Sequence, residues 1–333
     1  MAMTGQPTAD AAAGSEQNWS YAQAAAQALG DAMAQDARVV VLGEDVGRGG
    51  IFGQYQGLQQ RFGTQRVIDT PISEAAIMGA GVGMALAGLK PVVEMRVVDF
   101  ALCGMDELVN QAAKNRFMFG GQGRVPLVAR MPGGIWDASA AQHSQSLEAW
   151  FAHLPGVVVV CPSTPQDNHA LLRAALDCGD PVVYIEHKTL WGMRGQVDPG
   201  LSLPLGRAAL RRRGDALTLV SWSRQVQVCD EACGRLAEAG IGVDLIDLRT
   251  LWPWDRETVL ESCGRTGRLL VVHEAVQAAG FGAEIAATAA EATGCRIARL
   301  GAPRIPVGYA PVLEAQSRVD AEAIAAAARR LLD

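Results

Sequence analysis

Apolar residues in this chain fall into short unbroken runs separated by stretches of helical spacing. Residues 38–42 (RVVVL), 67–69, 91–95, 125–129, 157–160 and 182–185 read as strands. Their continuous Val/Ile character fits strands covered on both faces. Between them, the Ala-rich segment after Ser20 and residues 105–117, 145–153 and 165–176 carry apolar positions at helical intervals. Strands alternating with helices predict an α/β fold with a doubly wound parallel sheet. Residues 192–214, rich in Gly, Pro and Arg, break the pattern, and 196–214 read as a linker after a first domain at 19–195. Beyond the break, strands at 217–221, 243–248 and 268–273 and helices at 225–239, 256–263 and 282–293 predict a second, smaller α/β domain over 215–333.

The stretch from Val67 to Phe100 organises the first domain. Ala75, Gly79, Gly83 and Ala87 recur every four residues and form one nearly bare ridge on a helix. Glycine inside a helix costs up to about 1 kcal/mol against alanine, so their presence predicts a close backbone neighbour. Ser73 reads as an N-cap whose hydroxyl accepts an orphan amide, which puts Glu74 at the helix start. The expectation is a buried, tightly docked helix that presents one carboxylate. Its apolar run is shorter than the roughly 20 residues that cross a bilayer.

Composition adds mainly exclusions. The 333 residues are 49% hydrophobic and 19% charged, enough apolar content for a large core. A net charge of −6 argues against a general nucleic-acid binder. Arg211–Arg213, the sharpest basic run, reads as a solvated turn in the linker. Residues 1–18 lack the basic lead and apolar centre of a secretory signal and read as a flexible tail. Seven scattered cysteines suit reduced, mostly buried thiols in a cytoplasm better than a disulfide framework or zinc site. No Walker A motif is present, and the Gly79-Ala-Gly81-Val-Gly83 string has Met84 where a dinucleotide fingerprint needs its third glycine.

Several segments together resemble one known family: GEDVG (43–47), RVIDTPISEAAIMGAGVGMALAGLKPVVE (66–94), DF (99–100), NQAAK (110–114), HSQSLEAWFAHLPGVVVVCPSTPQD (143–167), DPVVYIEHKTLW (180–191), DLRTLWPWD (247–255) and GRLLVVHEA (267–275). The family is the beta subunit of the thiamine-diphosphate-dependent 2-oxo acid dehydrogenase first component, which includes the pyruvate, branched-chain and acetoin enzymes. The resemblance implies a transketolase-like architecture, with a pyrimidine-binding domain and a transketolase C-terminal domain, in an α2β2 tetramer. The alpha subunit holds the diphosphate and magnesium through a Gly-Asp-Gly…Asn motif. Gly-Asp pairs at 30, 179 and 214 are followed here by Ala, Pro and Ala, so the motif is missing and half a site implies an alpha partner.

Residue by residue, the resemblance makes Glu74 the glutamate that hydrogen-bonds the aminopyrimidine ring nitrogen. His143 matches the histidine near the thiazolium, where a neutral imidazole can donate or accept a proton. Phe100 matches the aromatic packed on the aminopyrimidine, although some relatives have Tyr there. Glu44 matches an acidic loop position near the channel between paired sites. A potassium ion is implied on main-chain oxygens of Val125, Leu127, Val128, Ala175, Leu176, Cys178 and Asp180; relatives have an acid where Cys178 lies. The implied activity is decarboxylation of a 2-oxo acid, or cleavage of acetoin, with acyl transfer to the lipoyl group of a dihydrolipoyl acyltransferase core. Trp191, Phe100 and Trp252 depart from the family pattern and leave room for a carboligase. A non-catalytic assembly subunit is the alternative outside enzymology.

Overall fold

A computed structural model describes residues 17–333 of the chain. The first half runs β1 (Gln17–Ser20), α1 (Tyr21–Gln35), β2 (Val39–Gly43), α2 (Leu58–Phe62), β3 (Val67–Asp69), α3 (Glu74–Leu86), β4 (Lys90–Glu94), α4 (Ala113–Met118), β5 (Val128–Arg130), α5 (Glu148–Ala152), β6 (Val158–Val160), α6 (Pro165–Asp177), β7 (Val182–Tyr184) and β8 (Arg194–Val197). The second continues with β9 (Ala209–Arg212), β10 (Leu217–Ser221), α7 (Gln225–Glu238), β11 (Val243–Asp247), β12 (Thr250–Trp252), α8 (Arg256–Thr266), β13 (Arg268–Val276), α9 (Gly282–Thr293), β14 (Arg296–Ala302), α10 (Pro311–Glu314) and α11 (Ala321–Leu332).

Among the described residues, the first sheet has the order β12-β6-β7-β5-β4-β2-β3, and every pairing is parallel except that of β12. The second has the order β14-β13-β10-β11-β9, parallel but for β9. Each is an α/β layer with buried strands, as the Val-rich runs predict. Two joints went unread in the sequence. Thr250 and Trp252 of β12 come from the second half of the chain, yet pair with Val160 and Val159 at the edge of the first sheet. One hydrophobic cluster also runs through both layers, from Met78, Leu127 and Phe151 to Trp222, Leu251 and Phe281.

Several expectations change. Residues 1–16 of the expected tail lie outside the described residues, while Gln17 and Asn18 begin β1 and pair with Val197 and Gln196. The expected linker carries strand at both ends, as β8 and β9. Arg211 is no solvated turn residue. It pairs with the buried carboxylates of Asp167 on α6 and Asp247 on β11, and Arg249 reaches Asp167 at 2.8 Å. This cluster ties the two halves together, because a buried carboxylate persists as an ion only when paired.

The Ala/Gly ridge of α3 is the largest correction. Ala75, Gly83 and Ala87 are exposed, and no atom lies within 4 Å of where a Gly83 Cβ would stand. The close neighbour lies on the opposite face: a Cβ on Gly81 would sit 2.5 Å from Val93 Cγ2 and 2.9 Å from Leu127 Cδ1. The four-residue period therefore marks an open face, and only Ile77, Met78, Gly81, Val82 and Ala85 are buried. Ser73 precedes the helix as expected, but its hydroxyl makes no capping bond. By contrast, Ser20 and Gln23 form a full capping box on α1.

Candidate active site

In an open parallel sheet, ligands bind beyond the C-terminal strand ends where the strand order reverses. Here β2 is followed by β3 on one side and, after a crossover, by β4 on the other. The reversal falls between β2 and β4. Glu44 follows β2, Glu74 opens the helix after β3, and Arg96, Asp99 and Phe100 follow β4. Three sequence-derived candidates, Glu44, Glu74 and Phe100, lie at this edge.

Phe100 opens a 3₁₀ turn (Phe100–Gly104) that packs on α3, with Gly104 against the main chain of Glu74. The Phe100 and His143 rings meet edge to face at 5.1 Å. The Glu74 carboxylate is half-buried and accepts no hydrogen bond among the described residues. Burial raises the Glu44 carboxyl above its ordinary range, and the Glu74 charge adds to that rise while Arg96 opposes it. Glu44 is half-buried, within electrostatic reach of Glu74. Arg96 is held by Asp45.

His143 ends a loop that leaves β5 and makes a short 3₁₀ turn at Ala141–His143. Asp137, Ala138 and Ala140 have φ of 39°, 56° and 61°, a region that costs side-chain-bearing residues about 1–2 kcal/mol each. Side chains from outside the loop hold it there. Glu274 on β13 accepts from Ile135 N at 2.8 Å and Ser146 Oγ at 3.0 Å, and lies 3.0 Å from His187 Nε2. These partners, His187 foremost, hold the Glu274 carboxyl down at about 2 although burial pushes it up. Glu314 accepts from Ala138 N at 2.7 Å. Gly134, at φ 86°, is obligatory, since a Cβ there would stand 2.1 Å from His187 Nε2. Lys188 donates to the His143 carbonyl, and Gln145 Nε2 donates to Asp99 Oδ1 at 2.8 Å. Burial pulls Lys188 down to about 8, with the Asp99 and Glu274 charges opposing.

Beneath the cleft lies a polar layer that the sequence reading missed. Arg130 and Glu186, both fully buried, pair through two bonds of 2.8 and 2.7 Å. The Arg130 guanidinium lies 4.8 Å over the Tyr55 ring, and Tyr55 donates to Glu94 at 2.5 Å. The signal was present: the apolar strands end in charge, as KPVVE, VAR and VVYIE. Burial pushes the Glu94 carboxyl up to about 7, against the lowering effects of Arg130 and of the Tyr55 and Gln54 hydrogen bonds. Its folded value exceeds the unfolded one, near 4.3. Folding is therefore penalised increasingly as pH rises from about 4.3 to 7, by on the order of 3 kcal/mol at the plateau. Urea unfolding of wild type and Glu94→Gln at pH 5 and pH 8 checks this. Wild type is expected to lose stability relative to the variant by roughly 2–3 kcal/mol across that interval, and a constant difference would refute it.

The stretches expected to hold potassium do meet. Val128 pairs with Val182, and Val182 N donates to Leu127 O at 2.8 Å, just after Ala175, Leu176, Cys178 and Asp180. Val125 O accepts from Leu127 N and Ala175 O from Cys178 N, while Arg116 binds both Asp180 oxygens at 2.5 Å. Among the described residues, no cluster of three metal-ligating side chains is present and no helix is long and apolar enough to cross a membrane.

Fold and cleft together define a transketolase-type chain, with a pyrimidine-binding layer followed by a transketolase C-terminal layer. Residues 17–193 match the transketolase pyrimidine-binding domain and residues 206–324 the transketolase C-terminal domain. The inactive β4 tetramer of a split-gene transketolase has the same fold, with a TM-score of 0.78 at 19% identity, covering 94% of this chain and 98% of that one. Acetoin:2,6-dichlorophenolindophenol oxidoreductase subunit beta of Cupriavidus necator is 40% identical, over 92% of this chain and 95% of its own. The 2-oxoisovalerate dehydrogenase subunit beta of Bacillus subtilis is 39% identical, over 94% and 98%. The chain belongs to this family of 2-oxo acid and acetoin dehydrogenase beta subunits.

Proposed function

We propose that this chain supplies the acidic half of a thiamine diphosphate site completed by an alpha subunit, and that the pair decarboxylates a 2-oxo acid, or cleaves acetoin, and transfers the acyl group to lipoyl. The observation that carries the reading is the unengaged Glu74 carboxylate at the start of α3, the helix that packs on the Phe100–Gly104 turn whose Phe100 ring meets His143, at the reversal of strand order. These residues fit the pyrimidine end of the cofactor. No residue set fits the diphosphate end, for the Gly-Asp-Gly…Asn motif is missing from the sequence.

When bound, thiamine diphosphate supplies a carbon nucleophile and an electron sink. Glu74, at the start of α3, is placed to hold a proton on the pyrimidine ring nitrogen. Phe100 covers an apolar ring face and keeps water from it. His143, presented by a loop fixed on both sides, is placed to give or take a proton at the substrate or acyl carbonyl oxygen. Glu44 lies at the same edge, where burial and the Glu74 charge favour its neutral form. Magnesium belongs with the alpha subunit's diphosphate motif. A potassium ion on the main-chain oxygens of 125–128 and 175–180 is part of the same reading.

Large exposed apolar residues support a partner. Phe117 is 89% exposed and Ile72, beside the cleft, 78%, and side chains of this size rarely cluster bare on a monomer. The carboligase alternative gains nothing from two of its three departures. Trp191 is buried against Phe52 and Tyr21, and Trp252 lies on edge strand β12. Calorimetry is expected to show magnesium-dependent thiamine diphosphate binding by the reconstituted pair and none by this chain alone. A lipoyl domain should then be acylated without a ligation product. Tight binding to the isolated chain, or ligation without acylation, would overturn the reading.

A further inference from the structure

We infer that Lys188 is a positioning residue that sets His143 by clamping both ends of the loop that carries it. The inference rests on the reading of His143 given above. Lys188 N donates to Gly133 O at 3.1 Å where the loop begins, and Gly133 N donates to Glu186 O at 2.9 Å. The Lys188 ammonium donates to His143 O where the loop ends. One residue thus fastens the excursion at entry and exit.

The setting is that of a held charge rather than a packed stem. Lys188 is 2% exposed. A lysine so placed costs desolvation that Met or Leu would avoid, so its retention needs a partner that a neutral side chain cannot serve. The charges facing it are Asp99, which precedes Phe100, and Glu274 from the second sheet, with His187 bound to Glu274. Asp99 Oδ1 takes Gln145, two residues past His143, while its Oδ2 is buried without a hydrogen-bond partner. The ammonium therefore sits where the Phe100 segment, the His143 loop and the second sheet meet.

The loop needs such a clamp. Three side-chain-bearing residues in the left-handed region, at 137, 138 and 140, make its conformation unfavourable when unheld. Released at His143 O, the loop relaxes and the imidazole leaves its place 5.1 Å from the Phe100 ring. The cost falls on turnover more than on substrate affinity, because the ring acts on the reacting atoms.

Lys188→Met, His143→Ala and the double variant, each assembled with the alpha subunit, test this. Amide exchange over residues 136–145 is expected to quicken about tenfold or more in Lys188→Met, with α1 unchanged, whether or not cofactor is bound. The kcat should fall roughly tenfold or more at a KM changed less than about threefold. A residue acting through His143 adds nothing once His143 is gone, so the double variant should be no slower than His143→Ala. Should Lys188→Met not fold, Lys188→Gln, shorter and neutral, is expected to show the same loop exchange. Unchanged exchange beside an impaired His143→Ala, or independent losses in the double variant, would overturn the inference alone. Full turnover by His143→Ala would overturn the reading of His143 and the inference with it.

Discussion

Glu74→Gln is expected to lower turnover of the assembled enzyme by roughly a hundredfold or more, the usual loss when a positioned acid is removed. Assembly and thermal midpoint should change little, since the Glu74 carboxylate accepts no hydrogen bond among the described residues and is only half-buried. Glutamine keeps the shape and removes the ionisable carboxyl. Steady-state rates with the reconstituted pair, beside sedimentation of the same samples, separate the two effects. A variant that assembles and turns over normally would make this chain an assembly subunit. The Glu44 carboxyl gives an internal check: without the Glu74 charge, its raised value should move back towards that of an ordinary glutamate.

The second large effect concerns the polar layer below the cleft. Arg130 and Glu186 are both 0% exposed and doubly bonded, and Asn168 Nδ2 adds a bond to Glu186 Oε1 at 2.9 Å. Glu186→Gln leaves an uncompensated guanidinium in the interior and is expected to cost about 3–5 kcal/mol of stability. Arg130→Met combined with Glu186→Leu should cost less than Glu186→Gln, because no charge is then stranded. Chemical denaturation of the three proteins at one pH decides it. A single variant within about 1 kcal/mol of wild type would show that water reaches the pair.

The sequence disclosed the strands because a parallel sheet covered on both faces favours unbroken Val and Ile, and short β-branched runs of that length suit a strand better than a buried helix. It singled out Glu74, Phe100 and His143 as candidates only through family motifs, since a lone carboxylate or imidazole has no spacing to betray it. It misplaced the helix ridge because alanine and glycine announce only that a face is smooth. The exposed flank of α3 and the packed Gly81 look alike in one dimension. It passed over β12, three residues long, because a strand that adds to another layer's edge has no local signature beyond its length. Lys188 escaped for a related reason: within YIEHKTLW its burial follows from the loop folded over it, and that loop lies some forty residues earlier.

Because β12 closes the rim of a sheet built by the other half of the polypeptide, the two lobes are stitched as well as stacked. Severing the chain after β8 would strip β6 of its outer neighbour and bare a row of backbone groups that invite aggregation. Hinged opening between the lobes would have to break that pairing and the apolar cluster shared by both layers. Loops, which carry no such pairing, are the segments that can move at lower cost.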